Sequence, residues 1–181
     1  MKLDYPYKIV GSIPDELINE SISLIKTEFW EVDKLRNKMG SLTQTKSIIL
    51  RYFEDYKFVN SENWKNKICN KQLYPIFENL INKILHELRK EYYFRDYIAF
   101  FARLKPKGVV KLHVDSGSFL ETCHRIHIPI KTNENVFYII EDQKYNWTKG
   151  NIYEFDNTRI HGVVNESDEE RIHLLFNLYP D

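Results

Sequence analysis

Residues 125–130 read Arg125-Ile126-His127-Ile128-Pro129-Ile130, with an isoleucine at every second position. Successive side chains of a β-strand point to opposite faces, so the three isoleucines share one face and Arg125 and His127 share the other. We expect the isoleucine face to meet the helices of the chain and the other face to point into a closed sheet. A charge buried there is costly unless it is paired or binds a ligand. This strand therefore predicts a sheet with a structural face and a chemically reactive face.

Two other stretches repeat this arrangement. Arg171 and His173 alternate with Ile172 and Leu174, and His113 stands two residues before Asp115. In extended backbone each pair projects onto one side of its strand. Two arginines, several histidines and an aspartate directed into one small barrel are not an ordinary core.

The chain after residue 96 has the period of two and the short runs that are typical of strands separated by turns. No long helical pattern lies between these runs, so we expect a mostly antiparallel sheet closed as a sandwich or jelly roll. The predicted strands are Tyr97–Leu104, Val109–His113, His124–Ile130, Val136–Glu141, Asn151–Phe155 and Arg171–Leu178.

The first 96 residues indicate helices. Ser12, Pro14, Asp15 and Glu16 predict a helix start, since a polar cap and acidic residues suit the positive end of a helix. The apolar residues that follow the helical period are, in the first helix, Leu17, Ile18, Ile22, Leu24, Ile25 and Phe29, and, in a second helix, Phe77, Leu80, Ile81, Ile84, Leu85 and Leu88. A strand is expected at Ser47–Phe53. We predict one domain over 1–181, in which a helical or mixed part, 1–96, packs on a roll formed by 97–181.

The amino-acid composition limits the binding partners and the cellular compartment that we expect. The 26 basic and 26 acidic residues give zero net charge, so neither nucleic acid nor an anionic membrane is an obvious partner. Two cysteines are too few for a disulfide framework and indicate a reducing compartment. The first residues lack the pattern of a signal peptide, and no apolar run is long enough to span a membrane. We expect a soluble cytoplasmic protein.

The polar residues of the roll contain one ligand set. His113, Asp115 and His161 supply the two histidines and one carboxylate that hold non-haem Fe(II) and leave its other positions open. A structural zinc site would more often use cysteine thiolates, and Cys69 and Cys123 have no partner at such spacing. Arg171 follows with a planar charged group that suits a carboxylate. A ligand that chelates a metal at one end and carries an anion at the other, such as 2-oxoglutarate, fits this set.

From Ala102 to Tyr179 the chain resembles the aspartyl/asparaginyl β-hydroxylase family of Fe(II)- and 2-oxoglutarate-dependent dioxygenases, particularly the cis-proline hydroxylase-like branch. The matching residues are Arg103-Leu104-Lys105-Pro106, His113-Val114-Asp115, Arg125-Ile126-His127-Ile128-Pro129-Ile130, Thr132-Asn133, Gly150, Glu154-Phe155-Asp156-Asn157, His161, Asn165 and Arg171-Ile172-His173-Leu174. The animal enzyme of this family has glycine in place of the carboxylate ligand, whereas this chain has Asp115.

The resemblance implies a double-stranded β-helix, that is, a cupin-like jelly roll, with N-terminal helices. It implies iron at His113, Asp115 and His161, Arg171 at the distal carboxylate of 2-oxoglutarate, and Arg125 and His127 at the end nearer the metal. Oxygen would then be used to hydroxylate an unactivated C–H of an amino acid, or of a prolyl, aspartyl or asparaginyl residue in a peptide or protein.

Other assignments stay open at this point. Arg103 is a candidate for a substrate carboxylate, or it forms a surface ion pair. Trp147 and the aromatic segment from Tyr52 to Trp64 form either a lid or packing. The alternatives to a 2-oxoglutarate-dependent enzyme are a metal cupin enzyme that does not use 2-oxoglutarate and a non-catalytic jelly roll that binds a small molecule or peptide.

Overall fold

The computed structural model describes residues 2–32, 40–53 and 67–180, except for the side chain of Ser118. In chain order its elements are β1 (Tyr7–Ser12), α1 (Asp15–Leu24), a 3₁₀ helix (Thr27–Glu31), β2 (Thr45–Phe53), β3 (Lys67–Cys69), α2 (Tyr74–Leu88), β4 (Asp96–Leu104), β5 (Val109–His113), α3 (Ser118–Glu121), β6 (His124–Lys131), β7 (Val136–Ile140), β8 (Gln143–Tyr145), β9 (Asn151–Phe155), β10 (His161–Asn165) and β11 (Arg171–Tyr179).

The strands of these described ranges form two facing sheets. The larger has seven strands in the order β1-β9-β6-β11-β4-β2-β3, and the smaller has four in the order β5-β10-β7-β8. Neighbouring strands pair antiparallel in both sheets. The fold is a double-stranded β-helix, the cupin-like jelly roll, and the predicted fold class is confirmed.

The two longer helices cover the outer face of the larger sheet. All six residues of the predicted stripe on α2 are buried. They share one apolar cluster with Ile126, Ile128 and Ile130 of β6. This packing removes apolar surface from water on both elements, at about 25 cal/mol for each Å². The prediction that the isoleucine face meets the helices is confirmed, and the alternate residues of β6 are thereby turned between the sheets.

The first helix is shorter than its apolar pattern predicted. α1 ends at Leu24 because Ile25 has extended backbone, and the chain then forms the 3₁₀ helix. Ile22, expected on the apolar stripe, is 47% exposed. Phe29 still reaches the core, from the 3₁₀ helix, where its ring centroid lies 6.1 Å from that of Phe77.

The first part of the chain also supplies strands to the larger sheet. β1 lies at one edge, where it pairs with β9. β2 and β3 lie at the other side, beyond β4. Among the described residues no helix is long and apolar enough to cross a membrane.

Candidate metal centre

The smaller sheet brings the three predicted metal ligands together. His113, at the end of β5, is the register partner of His161, at the start of β10, and Asp115 follows β5 by two residues. One candidate ligand atom from each of the three lies within 4.8 Å of the others. The His113 Nε2 atom is 3.6 Å from Asp115 Oδ1, and the two imidazole centroids are 4.4 Å apart. This is the spacing of atoms that can share one small cation.

A glycine allows this close approach of β10 to β5. A Cβ at Gly162 would lie 2.8 Å from the carbonyl oxygen of Val110. Any side chain here would push apart the strands that carry His113 and His161.

Both histidines are oriented for metal binding by backbone carbonyls. His113 Nδ1 donates to the carbonyl oxygen of Lys111 at 2.7 Å, and His161 Nδ1 donates to that of Arg159 at 2.9 Å. When the proton is held at Nδ1, the Nε2 atom carries the lone pair that a metal needs. The donor set therefore fits a divalent metal that accepts imidazole nitrogen and carboxylate oxygen.

The charges of the cluster also suit a cation. Burial alone would raise the pKa of Asp115, but the neighbouring His113 and the charge of Arg125 outweigh it and hold that pKa below its ordinary value. Burial lowers the pKa of His161, which favours the neutral imidazole. The contact with Asp115 raises the pKa of His113. At neutral pH the cluster holds an anionic carboxylate, which attracts a metal ion.

A cavity of about 140 Å³ between the sheets adjoins these three residues. It is large enough for a molecule bigger than a single water. Apolar side chains form much of its wall, among them Phe100, Phe119, Leu120, Phe155 and Leu175. The polar side chains that line it beside the metal cluster are Thr45, Arg125, His127, Tyr138, Arg171 and Asn177.

Arg171 is the most unusual of these cavity residues. Its side chain is buried, with 4% of the residue exposed. One guanidinium nitrogen, Nη2, donates to the Tyr138 hydroxyl, and Nε has no hydrogen-bond partner among the described residues. No described carboxylate pairs with Arg171. A buried cation without a counter-charge is strongly unfavourable, so an anion bound beside Arg171 would stabilise it.

Arg125 and His127 line the same cavity. Arg125 Nη1 donates to Asn177 Oδ1 at 2.6 Å, and its Nη2 lies 3.9 Å from Asp115 Oδ2. His127 Nδ1 is 2.9 Å from the Tyr138 hydroxyl, while its Nε2 is buried without a partner in the described residues. Burial, reinforced by the charge of Arg125, lowers the pKa of His127 well below its ordinary value. This imidazole is neutral at physiological pH and has one ring nitrogen left for a ligand.

Arg103 lies outside the cavity. It projects to the helix side of β4, where its guanidinium stacks 4.7 Å from the Trp30 ring and pairs with Glu170 at 3.4 Å. Side chains alternate between the two faces of β4. Because the neighbours Ala102 and Leu104 face inward, Arg103 faces outward. Arg103 is not among the described residues that line the cavity, and it forms the ion pair named as the alternative.

Trp147 is packed in the core. It is 2% exposed and stacks between Tyr138 and Tyr153, with ring centroids 3.7 and 4.5 Å away. A lid role for Trp147 is therefore wrong. In the aromatic segment from Tyr52 to Trp64, Phe53 is buried in an apolar cluster against which Tyr52 packs, and residues 54–64 lie outside the described residues.

Three polar cavity residues, Thr45, Tyr138 and Asn177, were not predicted from the sequence. Asn177 stands six residues after Arg171, so strand parity places both on the inner face of β11. Tyr138 lies in the predicted strand Val136–Glu141, but nothing in that run distinguishes an inward tyrosine that bonds an arginine from one that only packs.

The two-histidine, one-carboxylate cluster beside this cavity is the ligand set found in non-haem Fe(II) oxygenases. The chain belongs to the aspartyl/asparaginyl β-hydroxylase family, whose sequence profile matches residues 19–180. The predicted family is thus confirmed.

Comparison with solved structures agrees on the fold. The viral collagen prolyl hydroxylase of Paramecium bursaria Chlorella virus-1, solved as a 2-oxoglutarate complex, has a TM-score of 0.53 and 11% identity over 96% of each chain. A prolyl-4-hydroxylase of Pseudomonas putida has a TM-score of 0.55 and 11% identity over 98% of this chain and 94% of its own. No curated protein sequence matches the chain.

Proposed function

We propose that the protein is an Fe(II)- and 2-oxoglutarate-dependent dioxygenase that hydroxylates an unactivated C–H bond. The observation that carries the proposal is a single cavity lined by the His113, Asp115 and His161 cluster and by a buried arginine, Arg171, with no carboxylate partner among the described residues. A cation site and an anion site in one small cavity suit a ligand that chelates metal at one end and carries a carboxylate at the other.

Each site residue predicted inside the roll from the sequence has a role in this proposal. His113 and His161 would hold Fe(II) through Nε2, and Asp115 would hold it through a carboxylate oxygen. Arg171 would bind the distal carboxylate of 2-oxoglutarate through its planar fork. Arg125 and His127 would contact the end nearer the metal.

Bound iron with 2-oxoglutarate and oxygen supplies the oxidising power for hydroxylation, with succinate and carbon dioxide as co-products. The chain's own residues orient the cosubstrate and exclude water. The apolar wall around Phe100 and Leu175 lowers the polarity beside the two arginines, which strengthens their charge interactions.

We infer that the substrate is an amino acid, or a prolyl, aspartyl or asparaginyl residue of a peptide or protein. Family membership supports this range. The two structural neighbours are named as prolyl hydroxylases, which supports the prolyl member of the range. A metal cupin enzyme without 2-oxoglutarate would leave the buried Arg171 unexplained, and a non-catalytic binding protein would leave the metal cluster unexplained.

The test is formation of succinate from 2-oxoglutarate in the presence of Fe(II), with a panel of free amino acids and peptides as substrates. Asp115→Ala should lower turnover by more than about a hundredfold, because even partners of metal ligands contribute tenfold to a hundredfold. Asp168→Ala is the matched control, since the ion pair of Asp168 in the described part of the chain is with Lys107 at the surface. Equal turnover in the two variants would refute the metal assignment.

A further inference from the structure

The Tyr138 hydroxyl lies at the centre of a buried group of three nitrogen atoms. It accepts a hydrogen bond from Arg171 Nη2, and it lies 2.9 Å from His127 Nδ1 and 3.3 Å from His173 Nδ1. Tyr138 is 2% exposed and His173 is fully buried. Neither residue has a role in the proposed function so far.

The protons available at this point determine how the bonds can form. An arginine only donates, and a phenol has one proton. The Tyr138 oxygen therefore accepts from Arg171 and can give its proton to only one imidazole. The second imidazole must donate its own Nδ1–H to the oxygen, since otherwise two lone pairs would face each other. If both rings are neutral, His127 and His173 must hold opposite tautomers.

Both rings are neutral at physiological pH. Burial lowers the pKa of His173 well below its ordinary value, and the charge of Arg171 adds to this effect. Burial and the charge of Arg125 do the same for the pKa of His127.

The environment of the two Nε2 atoms decides which ring takes which tautomer. Neither Nε2 has a partner among the described residues. His127 lines the cavity, whereas His173 is enclosed in the core. A buried N–H without a partner is rarer in proteins than an acceptor without one. His173 therefore carries its proton on Nδ1, and His127 carries its proton on Nε2, where a ligand in the cavity can accept it.

The distances agree with this choice. The shorter contact, to His127, is the one in which the hydroxyl donates, and hydroxyl donors form shorter hydrogen bonds than ring N–H donors. The tyrosine ring is held in place by Trp147, which stacks on it with the ring planes at 14°. The hydroxyl thus has a fixed position relative to both histidines.

We propose that Tyr138 is a positioning residue that anchors Arg171 and sets His127 in the tautomer that presents Nε2–H to the cosubstrate. The nature of that ligand rests on the proposed function, but the pair of opposite tautomers does not. His173 completes the arrangement by donating to the hydroxyl from the side away from the cavity.

The test is nitrogen NMR of protein labelled with ¹⁵N-histidine, metal-free and with diamagnetic Zn(II), with signals assigned from His127→Asn and His173→Asn. The wild type should show Nε2–H at His127 and Nδ1–H at His173. Tyr138→Phe keeps the ring stack and should convert at least one of them to the other tautomer or to a mixture. The same variant should bind 2-oxoglutarate about tenfold more weakly, a loss of about 1.4 kcal/mol.

Tyr153→Phe is the matched control. It removes a hydroxyl from the ring on the other face of Trp147, where that hydroxyl accepts from the Thr148 backbone N–H at 2.8 Å. Both tautomers and the 2-oxoglutarate affinity should be unchanged in this control.

Wild-type protein with the same tautomer at both histidines would overturn the proposal, and so would a Tyr138→Phe spectrum identical to wild type. If Tyr138→Phe does not fold, the wild-type spectrum alone decides. Wild-type protein with opposite tautomers but no affinity for 2-oxoglutarate would instead refute the proposed function.

Discussion

Two buried charged residues, Glu154 and Arg171, lie on opposite faces of the seven-stranded sheet. They differ in the partners that surround their charges. Glu154 faces the helix side and is 1% exposed, yet Lys8 and His124 approach its carboxylate at 2.9 and 2.6 Å, and the Tyr92 hydroxyl donates to it at 3.0 Å. Arg171 faces the cavity at 4% exposed and has a tyrosine hydroxyl but no described carboxylate.

The difference separates a structural charge from a functional one. The Glu154 carboxylate has partners within the protein, and one of them, Lys8, lies on β1. Glu154 therefore stabilises the edge of the sheet where β1 joins. Arg171 is left with an unbalanced charge that a bound anion would neutralise. Burying such a group costs stability, and sites that bind ligands are where proteins tolerate this cost.

The largest expected effect is that of Arg171→Met. Affinity for 2-oxoglutarate should fall by about a hundredfold, because hydrogen bonds to a charged group contribute about 1.5–3 kcal/mol and each 1.4 kcal/mol is tenfold. The free energy of unfolding should stay level or rise, since an unpaired buried charge is removed. Calorimetric titration and denaturant unfolding measure the two quantities. A clear loss of stability would mean that Arg171 is structural, as Glu154 is.

Glu154→Gln should have the opposite signature, with 2-oxoglutarate affinity retained and stability lost. Burial alone would raise the pKa of Glu154, but His124 and Lys8 outweigh it and lower that pKa from 4.5 to about 2. A carboxyl with a lowered pKa stabilises the fold above its ordinary pKa, and this contribution is lost as the pH falls from about 4.5 toward 2.

The measurement is denaturant unfolding of both proteins from pH 7 to pH 2.5. The wild type should lose on the order of 2 kcal/mol more than Glu154→Gln across this window. Parallel curves for the two proteins would show that the network around Glu154 does not hold an ionised carboxylate.

The smallest effect is expected for Arg103→Gln. An ion pair that is partly exposed to solvent is worth about 1 kcal/mol or less, and Arg103 faces away from the cavity. Stability should fall by no more than that, and turnover should be unchanged. A turnover defect that is specific to one substrate would restore Arg103 as a substrate contact.

Much of this site could be predicted from the sequence, because side chains alternate between the two faces of a strand. The alternation in residues 125–130 and 171–174 was enough to assign an apolar and a polar face to β6 and β11, and the structure has both faces as expected. The six-residue stripe of α2 was equally clear, because apolar residues at three- and four-residue steps over about three turns are typical of a helix.

What parity could not predict depends on contacts between distant parts of the chain. β1 is a strand because its residues pair with β9, as Tyr7 does with Phe155. The sequence near β1 contains no pattern that indicates this distant partner. α1 ends at Leu24 although the apolar period continues, and Phe29 reaches the core from the 3₁₀ helix instead. The proposed role of the Tyr138 hydroxyl likewise depends on its contacts with Arg171 and His127, which lie on other strands.

The most direct test of the central claim is the visible absorption spectrum of anaerobic protein to which Fe(II) and then 2-oxoglutarate are added. The account predicts a metal-to-ligand charge-transfer band that appears only when both are present, is absent in Asp115→Ala, and needs far more 2-oxoglutarate in Arg171→Met. Wild-type protein that binds Fe(II) but develops no band at saturating 2-oxoglutarate would contradict it.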